Sequence, residues 1–258
     1  MLSDINWFEE TSKTQVPDLY CIECVKDERL PIRKVLHEPK SRLFTVLPMS
    51  YNIAIRKKFL NFVRFFMKRR DVLPAQVGVN PYSREWTRIA NKLLSKGNNI
   101  LCCDYSRFDG FLPKCIMNEI GDMIARVMRA NDESKTQIKN LMLACTSRYA
   151  MCNRILYRVE NGIPSGFPLT VIVNSILNEI LVKYAYWHCF VDNPTVQSNF
   201  DAHVSMVVYG DDNLISVSDA ISSKFDGSFL VKFMEGLGIK VTDGIDKTKI
   251  GIEFRRME

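Results

Sequence analysis

Two apolar runs of strand length, VSMVVY at 204–209 and NLISV beginning at Asn213, flank the tripeptide Gly210-Asp211-Asp212. So short a separation predicts a β-hairpin with two acids at its tip. Adjacent carboxylates beside such apolar runs repel one another and are partly desolvated, a cost that bound divalent cations relieve. Asp is also a favoured turn residue, so a solvated turn would explain the pair by itself. A third acid changes the weighing. Asp104 ends another short apolar run, ILCC at 100–103. Two strand-end acids from separate segments are what a two-metal phosphoryl-transfer site needs, with ions ~3.5–4 Å apart on the attacking and leaving oxygens. Mg²⁺ fits such a site, because its ligands are carboxylate, water and phosphate oxygens.

The rest of the chain supports an ordinary globular protein. Its 258 residues are 47% hydrophobic and 25% charged, enough to bury a sizeable core without disulfides. The formal charge of +6 is unevenly placed: residues 26–70 hold thirteen Lys or Arg against three acids, a local +10. The remainder is therefore net acidic. Eight scattered cysteines read as reduced thiols. Cys21-Ile-Glu-Cys24 is a lone CxxC, better read as buried thiols than as a metal site. The N-terminus shows no signal peptide, and no apolar stretch reaches the ~18 residues of a membrane span.

Residues 1–50 look irregular, apart from strands near 20–25 and 43–47 joined by a basic loop at 26–42. A helix with an apolar face of Ile55, Phe59, Phe62 and Phe66 follows, and another is predicted over 83–96. After the 100–103 strand come a helix from Pro113, a second helix with a strand pair over 132–160, and a Gly/Pro loop at 162–168. A helix over 169–187 places Thr170, Asn174 and Asn178 on one polar face. Beyond the hairpin, a helix over 225–237 and a strand over 239–242 complete an α+β pattern. Trp7, Trp86 and Trp187 read as core residues, and His37, His188 and His203 show no ligand spacing.

Several motifs in one order, DYSRFDG at 104–110, SGFPLTVIVNS at 165–175, YGDD at 209–212 and GIKVTDGIDK at 238–247, resemble the RNA-dependent RNA polymerases of picorna-like positive-strand RNA viruses. The basic stretch KDERLPIRKVLHEPKSRLF at 26–44 is similar to that family's fingers motif, with Arg29 and Leu30 in reversed order relative to many relatives. DYSRFDGFLP and GIPSGFPLTVIVNSILNEIL look closest to the comovirus and nepovirus group. The resemblance implies a right-hand polymerase palm, an antiparallel sheet backed by helices, with part of the fingers. It divides the chain into fingers at 1–97, palm at 98–130, a fingers insertion at 131–160 and palm at 161–258. It also implies that the thumb is absent, since the chain stops at FRRME where relatives continue.

The resemblance assigns residues as well. Asp104, Asp211 and Asp212 would hold two Mg²⁺ ions, for which Mn²⁺ could substitute. Lys247 would protonate the pyrophosphate leaving group, a task open to Lys but not effectively to Arg. Asp109, Ser165, Thr170 and Asn174 would contact the ribose, where a 2′-hydroxyl offers both donor and acceptor. Lys34, Lys40 and Arg42 would contact the triphosphate. The implied function is template-directed transfer of ribonucleotides to an RNA 3′-hydroxyl in viral genome replication, with RNA template and primer, NTPs and other viral replication proteins as partners and no DNA. The setting implied is host cytoplasm, at membrane-associated replication complexes. The rival readings are a reverse transcriptase, which shares the palm and its acidic hairpin, and a truncated, non-catalytic RNA-binding fragment.

Overall fold

A computed structural model describes residues 1–30, 32–37, 42–246 and 251–256. In chain order the elements are α1 (Leu2–Thr11), β1 (Tyr20–Val25), α2 (Ile32–Leu36), β2 (Leu43–Val46), α3 (Met49–Lys68), α4 (Glu85–Leu94), β3 (Asn99–Tyr105), α5 (Phe108–Phe111), α6 (Lys114–Val127) and α7 (Asp132–Thr146). They continue with β4 (Arg148–Cys152), β5 (Ile155–Val159), α8 (Thr170–Cys189), α9 (Pro194–Gln197), α10 (Phe200–His203), β6 (Val204–Tyr209), β7 (Asp212–Val217), α11 (Gly227–Gly236) and β8 (Val241–Asp243). Two compact units divide the chain: Met1–Phe62 with Asp109–Thr170, and Val63–Phe108 with Val171–Glu258.

The first unit contains a sheet ordered β2-β1-β4-β5, in which β1 and β4 run parallel and the other neighbours antiparallel. Its core includes Phe8, Tyr51 and Phe59, with the rings of Phe8 and Tyr51 meeting edge to face at 5.3 Å. Tyr51 is fully buried, and its hydroxyl donates to the Leu141 carbonyl of α7, so a polar group at the centre is satisfied. The side chain of Asn131 accepts from the backbone N–H of Ser134 and caps α7. The lone CxxC sits on β1, where the odd spacing turns Cys21 and Cys24 to opposite faces.

In the second unit the sheet is wholly antiparallel, ordered β6-β7-β3-β8. Its strands are apolar because one side is sealed: Leu101, Cys103 and Tyr105 of β3 and Ile215 and Val217 of β7 are buried. Each such Leu, Ile or Val contributes about 1.5–3 kcal/mol through burial. At the far end of the other face, α4 packs Ile89 and Leu93 against Ile100 and Val207. Beyond that cluster the same face borders a cavity that Gln76, Val79 and Pro81 also line. This is the antiparallel sheet with Asp104 beside an acidic hairpin that the motifs implied, within an α+β fold.

Several local expectations are corrected. The N-terminal stretch is not irregular, since residues 2–11 form a helix that buries Ile5 and Phe8. The basic loop contains the short helix α2. Only Asp211 lies in the hairpin turn, because Asp212 already pairs with Tyr209 as the first residue of β7. Trp7, Trp86 and Trp187 are each about half exposed rather than core.

Candidate active site

The chemistry the motifs point to depends on whether Asp104 meets the hairpin acids, and register decides it. Strand β3 pairs with β7 up to Cys103 opposite Asn213. Extended by one residue beyond its last pair, that register sets Asp104 opposite Asp212 with both side chains on the same side of the sheet. Both line a single cavity of about 700 Å³, together with Cys102, Trp86, Val208 and Gly244. Asp211 is exposed at the turn and does not line it.

The turn itself is tightly built. Gly210 adopts φ +65°, the left-handed conformation that the first position of a two-residue hairpin turn requires. Its N–H donates to Ser175 Oγ at 2.9 Å, and that hydroxyl donates in turn to the Val171 carbonyl at 2.7 Å. Asn178, one turn further along α8 and wholly buried, donates from its amide to the carbonyls of Gly210 and Asp211 at 3.1 and 3.0 Å. Its Oδ1 accepts from Tyr105 Oη and from Asn213 Nδ2, each at 3.3 Å. One side chain thus ties α8 to β3, to β7 and to the acidic turn. The sequence pattern places Asn178 on a polar helix face without giving it a role, and assigns none to Ser175, Tyr105 or Asn213. The i, i+4 polar face of α8 was the available signal for Asn178.

Beside the two facing acids lies a third, buried one. Asp243 ends β8 opposite Cys103, and its Oδ1 accepts from the backbone N–H of Ile245 and Asp246 and from the Arg255 guanidinium, all within 2.9 Å. Burial pushes this carboxyl up, but those three donors outweigh it and hold it below the usual carboxylate range. Cys102, in the same cavity, is pushed the other way by burial first and then by the charges of Asp243, Asp212 and Asp104, with Arg255 opposing. A thiol is in any case a soft donor, whereas the neighbouring carboxylates are the hard oxygen donors that Mg²⁺ prefers. Carboxylates on facing strand residues suit Mg²⁺, which binds through one or two carboxylates and leaves places for water and phosphate. Among the described residues no three His, Cys, Asp or Glu cluster closely enough to hold a metal unaided.

The remaining expected site residues divide between the units. Asp109, Ser165 and Thr170 belong to the first and Asn174 to the second. The Asp109 carbonyl accepts from the Ile163 N–H at 2.7 Å, fastening α5 to the loop that holds Ser165. Ser165 Oγ accepts from the Thr45 N–H at 3.2 Å and keeps its own proton to donate. Thr170 directs its hydroxyl at the carbonyls of Pro164 and Phe167, both at 2.8 Å, so it closes the loop onto the start of α8. Asn174 is 3% exposed on α8. Arg42 is exposed and lies 3.5 Å from Glu28, which also pairs with Lys26. Lys40 and Lys247 lie outside the described residues, and Lys34 lies on α2 with its side chain outside them.

The sequence profile of the viral RNA-dependent RNA polymerases matches residues 4–258. The chain belongs to the viral RNA-dependent RNA polymerase family. Relatives of this chain include the RNA1 polyproteins of Broad bean wilt virus 2, 91% identical over all 258 residues, and of Cowpea mosaic virus (strain SB), 50% identical over 253 residues or 97% of the chain. In both cases the match spans 14% of the polyprotein's length. The RNA1 polyprotein of Grapevine fanleaf virus is 44% identical over 249 residues, 96% of the chain and 11% of that polyprotein. These relatives agree with the resemblance to the comovirus and nepovirus group. The fold matches that of Sicinivirus 3Dpol RNA-dependent RNA polymerase, with a TM-score of 0.78 at 22% identity, covering 96% of this chain and 50% of that one. The family match favours an RNA polymerase over the reverse transcriptase that sequence motifs alone left as a rival.

Proposed function

We propose that this chain carries the catalytic centre of template-directed RNA synthesis, with the sheet of the second unit as its palm. The observation that carries the reading is the facing of Asp104 and Asp212 across β3 and β7 into one cavity, with Asp211 at the adjoining turn. The oxygen of an RNA 3′-hydroxyl would attack the α-phosphorus of a ribonucleoside triphosphate, the bond to the bridging oxygen would break, and pyrophosphate would leave. Positioning and charge do most of the work in such a transfer.

Asp104, Asp211 and Asp212 would hold two Mg²⁺ ions, which would supply the positive charge that stabilises attacking and leaving oxygens. What the chain's own residues contribute is order. Asn178 and Ser175 fix the turn so that the acidic hairpin keeps one conformation. Asp109, Ser165, Thr170 and Asn174 would read the ribose, and Lys34, Lys40 and Arg42 the triphosphate. Lys247 would give a proton to the departing pyrophosphate. Template, primer and NTPs are the substrates of this reading, and viral genome replication at cytoplasmic membranes, alongside other viral replication proteins, is its setting. Among the described residues no helix is long and apolar enough to cross a membrane.

The test is incorporation of labelled ribonucleotide on a homopolymer template with Mg²⁺, by the polymerase containing these residues. Asp211→Asn should abolish it. Undiminished incorporation by that variant would overturn the assignment.

A further inference from the structure

A second cavity of about 560 Å³ lies in the same unit and shares no lining residue with the first. Its walls are Arg64, Met67 and Lys68 of α3, Arg70 and Asp71 just beyond it, and Arg88 of α4. Four cations face one acid. Arg70 is accounted for: it donates to the Gly78 carbonyl at 2.7 Å and pairs with Glu85 at 2.6 Å. Glu85 is itself fixed by the Asn80 N–H, and that bond first, then the Arg70 guanidinium, holds its carboxyl below the usual range despite some burial. Arg64, Lys68 and Arg88 have no hydrogen-bond or ion-pair partner among the described residues.

The wall between these cations is closely packed. Gly78 sits at φ +85°, and a Cβ there would come within 2.2 Å of Met67 Cε and 3.2 Å of Arg70 Nη1. The backbone therefore passes directly under the Met67 and Arg70 side chains. Lys92 adds a donor to the main-chain carbonyls that follow α3, including that of Arg70 at 3.4 Å. A charge run on a loose surface is usually only solvated. Here the uncompensated cations are presented around a concavity whose supports are hydrogen-bonded.

From this arrangement we infer that the cavity binds the phosphate backbone of an RNA strand, as a contact surface separate from the carboxylate cavity. Arg64 and Lys68 are one helical turn apart, about 5–6 Å between Cβ atoms, and Arg88 projects from the neighbouring helix, so the charges form a track rather than a single-point clamp. Arg and Lys donors of this kind contact phosphate oxygens and position a nucleic acid without reading its bases. Helix α4 links the two places: it gives Trp86 and Ile89 to the carboxylate cavity and Arg88 to this one. The choice of RNA as the polyanion rests on the polymerase reading above.

The experiment measures affinity for a labelled single-stranded RNA oligomer by fluorescence anisotropy across a salt series, with EDTA present. The variant Arg64→Glu/Lys68→Glu/Arg88→Glu should bind at least tenfold more weakly at low salt. The slope of log K against log salt should fall by about 2, at ~0.7 for each lost phosphate contact on a single strand. Arg88→Gln alone should give a smaller loss in the same direction, which keeps the test available if the triple variant folds poorly. The comparison variant Lys96→Glu/Lys224→Glu/Lys232→Glu changes net charge equally, at residues outside the cavity. An equal loss there, or RNA affinity within twofold of wild type in both cavity variants, would overturn the inference. So would loss of inorganic triphosphate binding with RNA affinity unchanged. Affinity that ignores the three cations defeats the cavity alone, whereas failure of the wild-type polymerase to incorporate nucleotide defeats the polymerase reading alone.

Discussion

Asn178 donates its side-chain amide to the carbonyl of Asp211 at 3.0 Å, and to that of the preceding Gly210 at 3.1 Å, from inside a helix that is remote in sequence. The acidic turn is therefore held by α8 as well as by its own hairpin. Removing that amide leaves two carbonyls, the Tyr105 hydroxyl and the Asn213 amide without their buried partner.

Asn178→Ala should destabilise the chain by about 1–3 kcal/mol, the cost of unsatisfied buried polar groups, measured as a lower urea midpoint at unchanged slope. Ser175→Ala removes the acceptor of the Gly210 N–H. Because both residues grip one turn, the double variant should show a coupling of at least ~0.5 kcal/mol. Strict additivity would mean that the two act independently.

Gly210→Ala isolates backbone conformation, because the nearest atom to a Cβ there is Val171 Cγ2 at an ordinary 3.8 Å. The left-handed φ alone should cost about 1–2 kcal/mol. Gly210→Asn should cost less, since Asn tolerates that region better than Ala. Equal stabilities for Ala and Gly would show that the turn relaxes to another type.

The Asp243 carboxyl is held low by Ile245, Asp246 and Arg255, so its folded value lies below its unfolded one. Its contribution is fully present above the unfolded carboxylate value of about 3.9, and is lost as pH falls through the lower folded value. Urea midpoints taken between pH 6 and pH 2.5 should therefore show wild type well above Asp243→Asn near neutrality, with the gap closing below about pH 4. A gap that stayed constant down to the lowest pH would contradict the ionised state.

For the facing acids, Asp104→Asn and Asp212→Asn should each lower Mg²⁺-dependent incorporation by at least ~10²-fold, the scale of a lost electrostatic stabiliser. Thermal midpoints should change little, because both side chains face the open cavity. A fall in activity that merely tracks lost stability would point to a structural role instead.

Asn174→Ala and Asp109→Ala should narrow the preference for ribonucleotides over deoxynucleotides in single-nucleotide incorporation. An unchanged ratio would remove them from ribose selection. Thr170→Ala should narrow this ratio and lower stability as well, given that its hydroxyl closes the 164–170 loop.

Local pattern carried a good part of the fold. The periodic apolar face of α3, the apolar run of β3 and the runs on either side of Gly210 are recognisable because helix and strand spacing leave their mark within a few residues. Short polar-rich elements did not declare themselves: α1 carries only Ile5 and Phe8 as its buried face, and α2 lies within a basic stretch that reads as loop. The half-exposed tryptophans show the same limit. An indole is apolar enough to suggest a core, yet Trp86 keeps its N–H on the Pro81 carbonyl and its ring along the carboxylate cavity.

By itself the sequence determined the ingredients of the centre: an acid at the end of one apolar strand, two acids at an apolar hairpin, and a polar stripe on one helix. Tertiary structure decided how they meet. The β3–β7 register set Asp104 opposite Asp212 and left Asp211 at the turn, and packing turned Asn178 from a helix-face residue into the clamp on that turn. Side-chain alternation and helical periodicity are local properties, whereas register and long-range hydrogen bonds depend on which surfaces bury one another, which no window of sequence contains.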